Sequence, residues 1–286
     1  MTFLWKNTFS RVFSKTPVIF STLTLIVSIS ACSSPSASFH NAAIAEQFNV
    51  SYLNTDFFQH TIYSNNAILK STNKTLHIYL DGDGTPWLNR YRRAKDPTSR
   101  KKMILTLMNI DQAPAILLGR PCYYGQHTSL NCHPRYWTSH RYAPKIVQSM
   151  QQALSIWLTQ HPQVQNITFI GYSGGGALAV LLAAHFKQIR QVVTVAANLD
   201  ISQWTKQHTY TPLTGSLNPI MQAKLPANIK QVHIAGALDK NMPVAIIKNY
   251  AATKGPAEVI IFDNQTHCCW DKHWLAILAI INTHSP

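Results

Sequence analysis

The sequence is poor in charged residues, and poorest in acidic ones. Lys, Arg, Asp and Glu make up 13% of the chain against 46% apolar residues, and 11 Asp and Glu stand against 25 Lys and Arg. Such a chain has enough apolar surface to bury a core. Internal repeats and long low-complexity blocks are also absent, so the composition indicates a single globular domain and not a repeat array.

A long apolar run is missing as well. The run from Val18 to Ile29 carries no charge, but it is too short and too interrupted by Ser and Thr for a membrane-spanning helix. Because Lys6, Arg11 and Lys15 precede it, it is typical of the apolar region of an export signal. We therefore expect residues 1–31 to be removed as a signal peptide.

The residues at the expected cleavage site suggest a lipid anchor. Ile29-Ser30-Ala31 followed by Cys32 resembles the lipobox of bacterial lipoproteins, in which the cysteine is diacylated and becomes the new N-terminus. Lipidation of Cys32 is the prediction, and ordinary cleavage nearby is the alternative. Ser33 in place of aspartate favours the outer membrane, so we expect a lipid-anchored protein of the bacterial cell envelope that faces the periplasm. Residues 32–45 are predicted to be a short polar tether and 46–286 the folded domain.

The net charge points to anionic partners without a nucleic-acid motif. Removal of residues 1–31 leaves 22 of the 25 Lys and Arg residues against 11 acidic ones, a net charge of +11. These charges are scattered among apolar segments, and export argues against a nucleic-acid partner. We expect attraction to an anionic membrane or to anionic envelope polymers, in addition to the lipid anchor.

The chain has five cysteines and no spacing typical of a zinc site. In an exported protein, Cys122 and Cys132 bracket a polar loop and are predicted to form a disulfide, although four cysteines allow three connectivities. Cys268 and Cys269 are adjacent, which permits a vicinal disulfide or pairing elsewhere. Neighbouring cysteines lack the two-residue gap of a zinc clamp. We predict neither a metal nor another cofactor.

A strand-turn-helix pattern surrounds Ser173. The apolar run Asn166 to Ile170 is typical of a strand, Ala177 to Phe186 is typical of a helix, and Gly171-Tyr172-Ser173-Gly174-Gly175 lies between them. Glycines two residues on either side of the serine let the strand and the helix pass without a Cβ clash. The pattern predicts a nucleophile elbow that exposes the Ser173 hydroxyl above a sheet.

An acid and a base follow later strand-like runs. Asp239 comes after Gln231 to Gly236, and His267 comes after Glu258 to Phe262. A neutral imidazole can take the proton of a serine hydroxyl, and a buried carboxylate can fix the imidazole tautomer. We predict that Ser173, Asp239 and His267 form a catalytic triad.

The order of these residues resembles one family. Serine, then aspartate, then histidine is the order of the α/β-hydrolase fold and differs from the chymotrypsin and subtilisin orders. Asp200 also follows a strand-like run, Gln191 to Ala197, and is the alternative acid. The position that the resemblance implies favours Asp239.

The resemblance implies an α/β fold with a mostly parallel eight-stranded sheet, helices on both faces, and the site at the carboxyl ends of the strands. It also implies an oxyanion hole made by the backbone N–H groups of Gly174 and of Asp83, which follows the strand-like run Leu76 to Leu80. Residues 119–142 are predicted to be an active-site wall. Residues 198–225 are interpreted as a lid or specificity segment, with a plain connection as the alternative.

The expected activity is hydrolysis of a small-molecule carboxylic ester by a serine hydrolase. The resemblance identifies a superfamily and not a substrate, and that superfamily also contains peptidases, thioesterases and lipases. Two further hypotheses therefore stay open. One is a non-catalytic basic envelope lipoprotein on a hydrolase scaffold, and the other is an exported serine peptidase.

Overall fold

A computed structural model describes residues 1–4, 33–70 and 74–283 of the 286-residue chain. Ser33–Pro286 form one compact unit. The predicted signal peptide and the lipidation of Cys32 concern residues that lie outside the described ones, apart from residues 1–4. In the described part of the chain, no helix combines the length and the apolar character that crossing a bilayer requires.

One sheet organises the compact unit, and its described part has eight strands in the order β1-β2-β4-β3-β5-β6-β7-β8. The strands are β1 Asn49–Asn54, β2 Gln59–Ser64, β3 Thr75–Leu80, β4 Ala115–Leu118, β5 Asn166–Tyr172, β6 Ile189–Val195, β7 Lys230–Gly236 and β8 Glu258–Phe262. β1 pairs antiparallel with β2, and β2 pairs antiparallel with β4. The remaining pairs are parallel. The mostly parallel eight-stranded sheet expected from the resemblance is thus confirmed.

Helices cover both faces of the sheet. They are α1 Pro35–Ala45, α2 Ala67–Lys70, α3 Met103–Ile110, α4 Pro144–Gln160, α5 Gly174–Ala183, α6 Ile201–Gln207, α7 Val244–Lys254 and α8 Trp274–Thr283. Successive strand residues point to opposite faces, and five or more consecutive residues of β3 and of β6 are buried, so both faces are covered. α4 packs on α5, and α3 packs on α8.

The segment predicted to be a tether, residues 32–45, is a helix for most of its length, so that prediction is wrong. Ser34 caps α1 by accepting a hydrogen bond from the N–H of Ala37, and a proline occupies the first helical position. Phe39 is fully buried, with its ring 4.8 Å from that of Tyr124. Burying a phenylalanine contributes about 1.5–3 kcal/mol, so Phe39 is one of the contacts that hold this segment on the domain.

The topology brings the polar residues of interest to one edge of the sheet. The carboxyl ends of parallel strands meet at the same edge. β3 ends before Asp81, β5 before Ser173, β7 before Asp239, and β8 before His267. The candidate site is therefore assembled at the edge that the sequence predicted.

Candidate active site

Ser173 lies on a sharp turn between β5 and α5. Its backbone has φ 52° and ψ −119°, a conformation that a non-glycine residue rarely adopts. Gly175 permits the turn, because a Cβ at this position would collide with the carbonyl oxygen of Leu80 on the neighbouring strand. The strand-to-helix elbow expected from the glycine spacing is present.

The three residues predicted as a triad lie in contact. The Oγ of Ser173 is 3.1 Å from Nε2 of His267, and Nδ1 of the same ring is 2.8 Å from Oδ2 of Asp239. The Asp239 side chain is fully buried, whereas about a quarter of the His267 side chain is exposed. The imidazole is thus open to substrate on one side and held by the acid on the other.

The second oxygen of Asp239 fixes how the acid faces the imidazole. Its Oδ1 accepts hydrogen bonds from the backbone N–H groups of Asn241 and Met242, both at 2.8 Å. Oδ2 is left to accept from Nδ1–H of His267, which makes Nε2 the acceptor for the Ser173 hydroxyl. This is the tautomer in which the imidazole can serve as a general base.

Side chains that the sequence did not single out hold the loop of His267. Tyr172 Oη and Trp270 Nε1 both donate to the backbone carbonyl of His267 at 3.0 Å. The fully buried Gln265 donates from Nε2 to the carbonyl of Cys268 at 2.6 Å. No spacing or periodicity marks these three residues, because each acts through a contact that exists only in the folded chain.

Asp200, the alternative acid, has a structural role. Its Oδ1 caps α6 by accepting from the N–H groups of Ser202 and Gln203, each at 3.1 Å, and from Nδ2 of Asn218 at 3.0 Å. The imidazole of His267 pairs instead with Asp239. The structure therefore places the favoured acid, and not the alternative, beside the imidazole.

The two residues expected to form the oxyanion hole lie next to each other. Gly174 is the first residue of α5, so its N–H has no carbonyl partner within the helix. A Cβ on Gly174 would collide with the carboxylate of Asp83, so the loop after β3 reaches the turn that carries Ser173. Both backbone N–H groups are thus carried by segments that border the serine, as an oxyanion hole requires.

A buried charge cluster that the sequence did not reveal surrounds Asp83. Its carboxylate accepts from Nη1 of Arg120 and Nη1 of Arg141, each at 2.8 Å, and from the hydroxyl of Tyr142 at 2.7 Å. Burial alone would raise the pKa of Asp83, but Arg141 and Arg120 outweigh burial and lower that pKa to about 2. The two buried guanidinium groups thus share the Asp83 carboxylate, which itself lies against Gly174.

Asp81, two residues before Asp83, is buried, and among the described residues it forms no ion pair. It accepts from the N–H of Gly82 at 2.8 Å and from the hydroxyl of Tyr124 at 3.2 Å. Desolvation raises the pKa of Asp81 to about 6, against the ordinary value of 3.8, although both hydrogen bonds and the more distant Arg120 act in the opposite direction.

Asp81 should therefore make the stability of the protein depend on pH. Because its pKa is higher in the folded state, the folded chain binds the proton more tightly, and stability falls as the pH rises from about 4 through about 6. Asp81→Asn mimics the neutral acid, so at about pH 7 the variant should be more stable than the wild type by on the order of 3 kcal/mol. Urea unfolding at about pH 4, where the two proteins should match, is the internal control. A difference that is the same at both pH values would contradict the assignment.

The cysteines divide into one disulfide and one pair of thiols. Cys122 and Cys132, predicted to pair, form a disulfide. Cys268 and Cys269 are free thiols, with their sulfur atoms 2.8 Å apart directly after the candidate base. A hydrogen bond with Cys269 lowers the pKa of Cys268.

The wall and the candidate lid are packed together. The N–H of Leu217 donates to the carbonyl of Tyr142 at 3.0 Å, and the hydroxyl of Ser216 donates to the carbonyl of Ser139 at 3.0 Å. Residues 201–218 also line a cleft of about 580 Å³, which the three triad candidates do not border. A lid role for residues 198–225 stays a prediction.

Comparison with known proteins identifies one family model that matches part of this chain. Residues 147–271 match the family model described as BAAT/acyl-CoA thioester hydrolase C terminal. The matched range contains Ser173, Asp239 and His267. No curated protein sequence matches the chain significantly.

Solved structures show the same fold at low sequence identity. An esterase from Pyrococcus furiosus has 11% identity and a TM-score of 0.59, with 83% of this chain and 90% of that chain covered. The α/β-hydrolase domain-containing protein 10 from mouse has 13% identity and a TM-score of 0.55, with 83% and 100% covered. An esterase/lipase from an uncultured bacterium has 13% identity and a TM-score of 0.54, with 90% and 92% covered. The chain has the α/β-hydrolase fold, as the resemblance implied.

Proposed function

We propose that this chain is a serine hydrolase that cleaves carboxylic esters or thioesters by acyl transfer, and that it is exported and held at the bacterial outer membrane by a lipid on Cys32. The activity rests on one observation above all. The imidazole of His267 contacts both the Ser173 hydroxyl and the buried Asp239 carboxylate. Export and anchoring rest on the sequence of residues 1–33.

The first half of the reaction forms an acyl-enzyme. Ser173 Oγ attacks the substrate carbonyl while Nε2 of His267 takes the hydroxyl proton. The carbonyl oxygen becomes an oxyanion, which the N–H groups of Gly174 and Asp83 stabilise. When the tetrahedral intermediate collapses, the bond to the leaving group breaks and the imidazolium returns its proton to that group.

The second half repeats these steps with water. His267 takes a proton from a water molecule, the resulting hydroxide attacks the acyl carbon, and Ser173 leaves with the proton held by the imidazolium. Throughout, Asp239 keeps the imidazole in one orientation and stabilises its positive charge. The reaction consumes one water and releases an acid together with an alcohol or a thiol.

The comparisons support both an alcohol and a thiol as the leaving group. The matching family model is described as a thioester hydrolase, whereas two of the structural relatives are described as esterases. A panel with one acyl group on an alcohol, a thiol and an amine would separate the three activities. Amide cleavage exceeding ester and thioester cleavage would favour the exported peptidase, and no turnover of any of them would favour the non-catalytic scaffold.

A fluorophosphonate probe tests the proposed nucleophile directly. We expect Ser173 Oγ to attack phosphorus and displace fluoride, so that mass spectrometry of the digested protein finds the label on the peptide with Ser173. The reaction requires an activated serine, because unactivated hydroxyl groups react too slowly.

Ser173→Ala is the matched variant, and it should remove the label while circular dichroism shows an unchanged fold. Ser216, whose hydroxyl donates to the backbone carbonyl of Ser139 and has no contact with the imidazole in the described part of the chain, offers the control, and Ser216→Ala should label like the wild type. Labelling that persists in Ser173→Ala would contradict the proposal.

A further inference from the structure

A small hairpin follows the loop after β3 that carries Asp83, and we call residues 86–95 the rim hairpin. The N–H of Leu88 donates to the carbonyl of Arg92 at 2.8 Å, and the N–H of Ala94 donates to the carbonyl of Pro86 at 2.9 Å. At its turn, Asn89 Oδ1 accepts from the N–H of Arg92 at 2.8 Å. These bonds give the hairpin a defined shape before any partner binds.

The base of the rim hairpin is fixed to the domain. Trp137 donates from Nε1 to the carbonyl of Ala94 at 3.1 Å, and Thr85 donates its N–H to the carbonyl of Pro97 at 2.8 Å. The hairpin therefore has a set position relative to Asp83, which lies three residues before it.

Apolar side chains on the hairpin face solvent. Trp87 and Leu88 are about 40% exposed, and Tyr91 is 88% exposed. Single exposed apolar residues are common on soluble proteins. Three of them on one turn, two of which are amphipathic aromatic residues, are typical of a segment that enters a water–lipid interface.

The same hairpin concentrates positive charge. Arg90, Arg92, Arg93 and Lys95 are exposed, and within the described part of the chain none of them forms an ion pair. The one acidic residue between positions 86 and 102 is Asp96, which is buried. The charge of this surface is thus left for an external anion.

Asp96 forms no ion pair with these cations, because both of its oxygens accept hydrogen bonds inside the domain. Oδ2 accepts from the N–H of Ser36 at 2.8 Å, and Oδ1 accepts from the N–H of Thr98 at 3.0 Å. Basic residues continue beyond it with Arg100 and Lys101, and both are exposed.

We propose that the rim hairpin docks the catalytic face of this protein on an anionic phospholipid bilayer. Trp87, Leu88 and Tyr91 would enter the headgroup region, and the neighbouring guanidinium and ammonium groups would bind lipid phosphates. A turn with exposed apolar side chains suits a soft interface better than it suits a polyanion, which offers these side chains nothing apolar to contact. The inference does not depend on the proposed hydrolase activity, since binding is measured without substrate.

Vesicle sedimentation tests the proposal with residues 33–286, which form one compact unit, so that neither an acyl chain on Cys32 nor the apolar run Val18 to Ile29 can bind the vesicles. The vesicles are phosphatidylcholine alone or phosphatidylcholine mixed with phosphatidylglycerol. We expect strong preference for the anionic vesicles and loss of that preference when NaCl rises from about 0.1 M to about 1 M, where screening acts within about 3 Å.

Two hairpin variants and one matched control separate the contribution of the basic side chains from that of the apolar side chains. Replacing Arg90, Arg92, Arg93 and Lys95 by Gln should weaken binding to anionic vesicles roughly 100-fold, since each basic residue near the surface contributes about fivefold and the contributions are not fully additive. Replacing Trp87, Leu88 and Tyr91 by Ser should weaken binding while leaving its salt dependence in place. The control replaces the same number of exposed lysines on other segments, Lys187, Lys206, Lys224 and Lys248, by Gln.

The control variant should bind anionic vesicles with an affinity within a few-fold of that of the parent protein, because the four replaced lysines lie outside the rim hairpin. Equal weakening by the control and by the hairpin charge variant would overturn the proposal in favour of net charge alone. Binding to heparin without binding to anionic vesicles would overturn it in favour of a polyanion. All variants alter exposed side chains, and a thermal unfolding midpoint close to that of the parent verifies that they fold.

Discussion

Replacing Asp83 by alanine should lower the free energy of unfolding by about 3–5 kcal/mol. The change leaves Arg120 and Arg141 with 4% and 7% of their side chains exposed and without their shared counter-charge. A buried cation that has lost its partner retains its desolvation cost and gains no attraction in return. The loss should appear as a lower urea midpoint with an unchanged slope.

The pH dependence of this loss identifies its cause. Because the pKa of Asp83 is lowered from 3.8 to about 2 in the folded protein, its contribution is present above pH 3.8 and is lost as the pH falls towards 2. The difference between wild type and Asp83→Ala should therefore be full at neutral pH and should shrink below about pH 4. A difference that does not change with pH would indicate lost packing and not lost charge pairing.

A triple variant provides the control for this cluster. Asp83→Leu combined with Arg120→Met and Arg141→Met removes all three charges together, and replacing a whole buried ion group by apolar residues is often neutral or stabilising. We expect it to recover most of the stability that Asp83→Ala loses. If Asp83→Ala lowered the free energy of unfolding by no more than about 1 kcal/mol, that result would contradict the account, because exposed ion pairs contribute no more than that.

The triad candidates could be predicted because each depends on local sequence and topology. Ser173 follows a strand and precedes a helix between glycines, and Asp239 and His267 follow later strands of a parallel sheet. Parallel strands bring their carboxyl ends to one edge, so chain order alone placed the three residues near each other. The register of the strands and the distances between the three side chains could be obtained only from the structure.

The charge cluster around Asp83 could not be predicted, because it depends on contacts between residues far apart in the sequence and not on local pattern. Arg120 and Arg141 lie 37 and 58 residues from it, in the irregular segment that also carries the disulfide. Irregular segments have no period that would indicate which side chains turn inward. An arginine in such a loop is expected in solvent, and only the fold shows that these two are buried.

Composition alone does not predict the structure at two places. Ser33 to Ser38 is rich in serine, which predicts a tether, but composition does not distinguish a serine that caps a helix, as Ser34 does, from a serine in a linker. The basic residues look scattered along the sequence, whereas those from Arg90 to Lys95 share one hairpin whose turn is held by the Asn89 side chain. In both cases a local hydrogen bond decided the structure.

The second large effect is expected at the acid. Asp239→Asn should lower kcat for an activated ester by about 10⁴-fold while leaving the fold intact. The amide oxygen should take the place of Oδ1, because the N–H groups of Asn241 and Met242 need an acceptor there. The amide NH₂ would then face Nδ1 of His267 and donate to it, so Nε2 would carry the proton and could no longer accept one from Ser173.

Asp200→Asn is the matched control, since it makes the same substitution at the alternative acid. Asparagine caps a helix about as well as aspartate, so α6 should persist and kcat should stay within a few-fold of wild type. Steady-state kinetics with a p-nitrophenyl ester measures both variants, and circular dichroism verifies both folds. If Asp200→Asn lost the activity and Asp239→Asn kept it, the contact between Asp239 and the imidazole would be structural, and the acid of the triad would have to be sought at the end of β6.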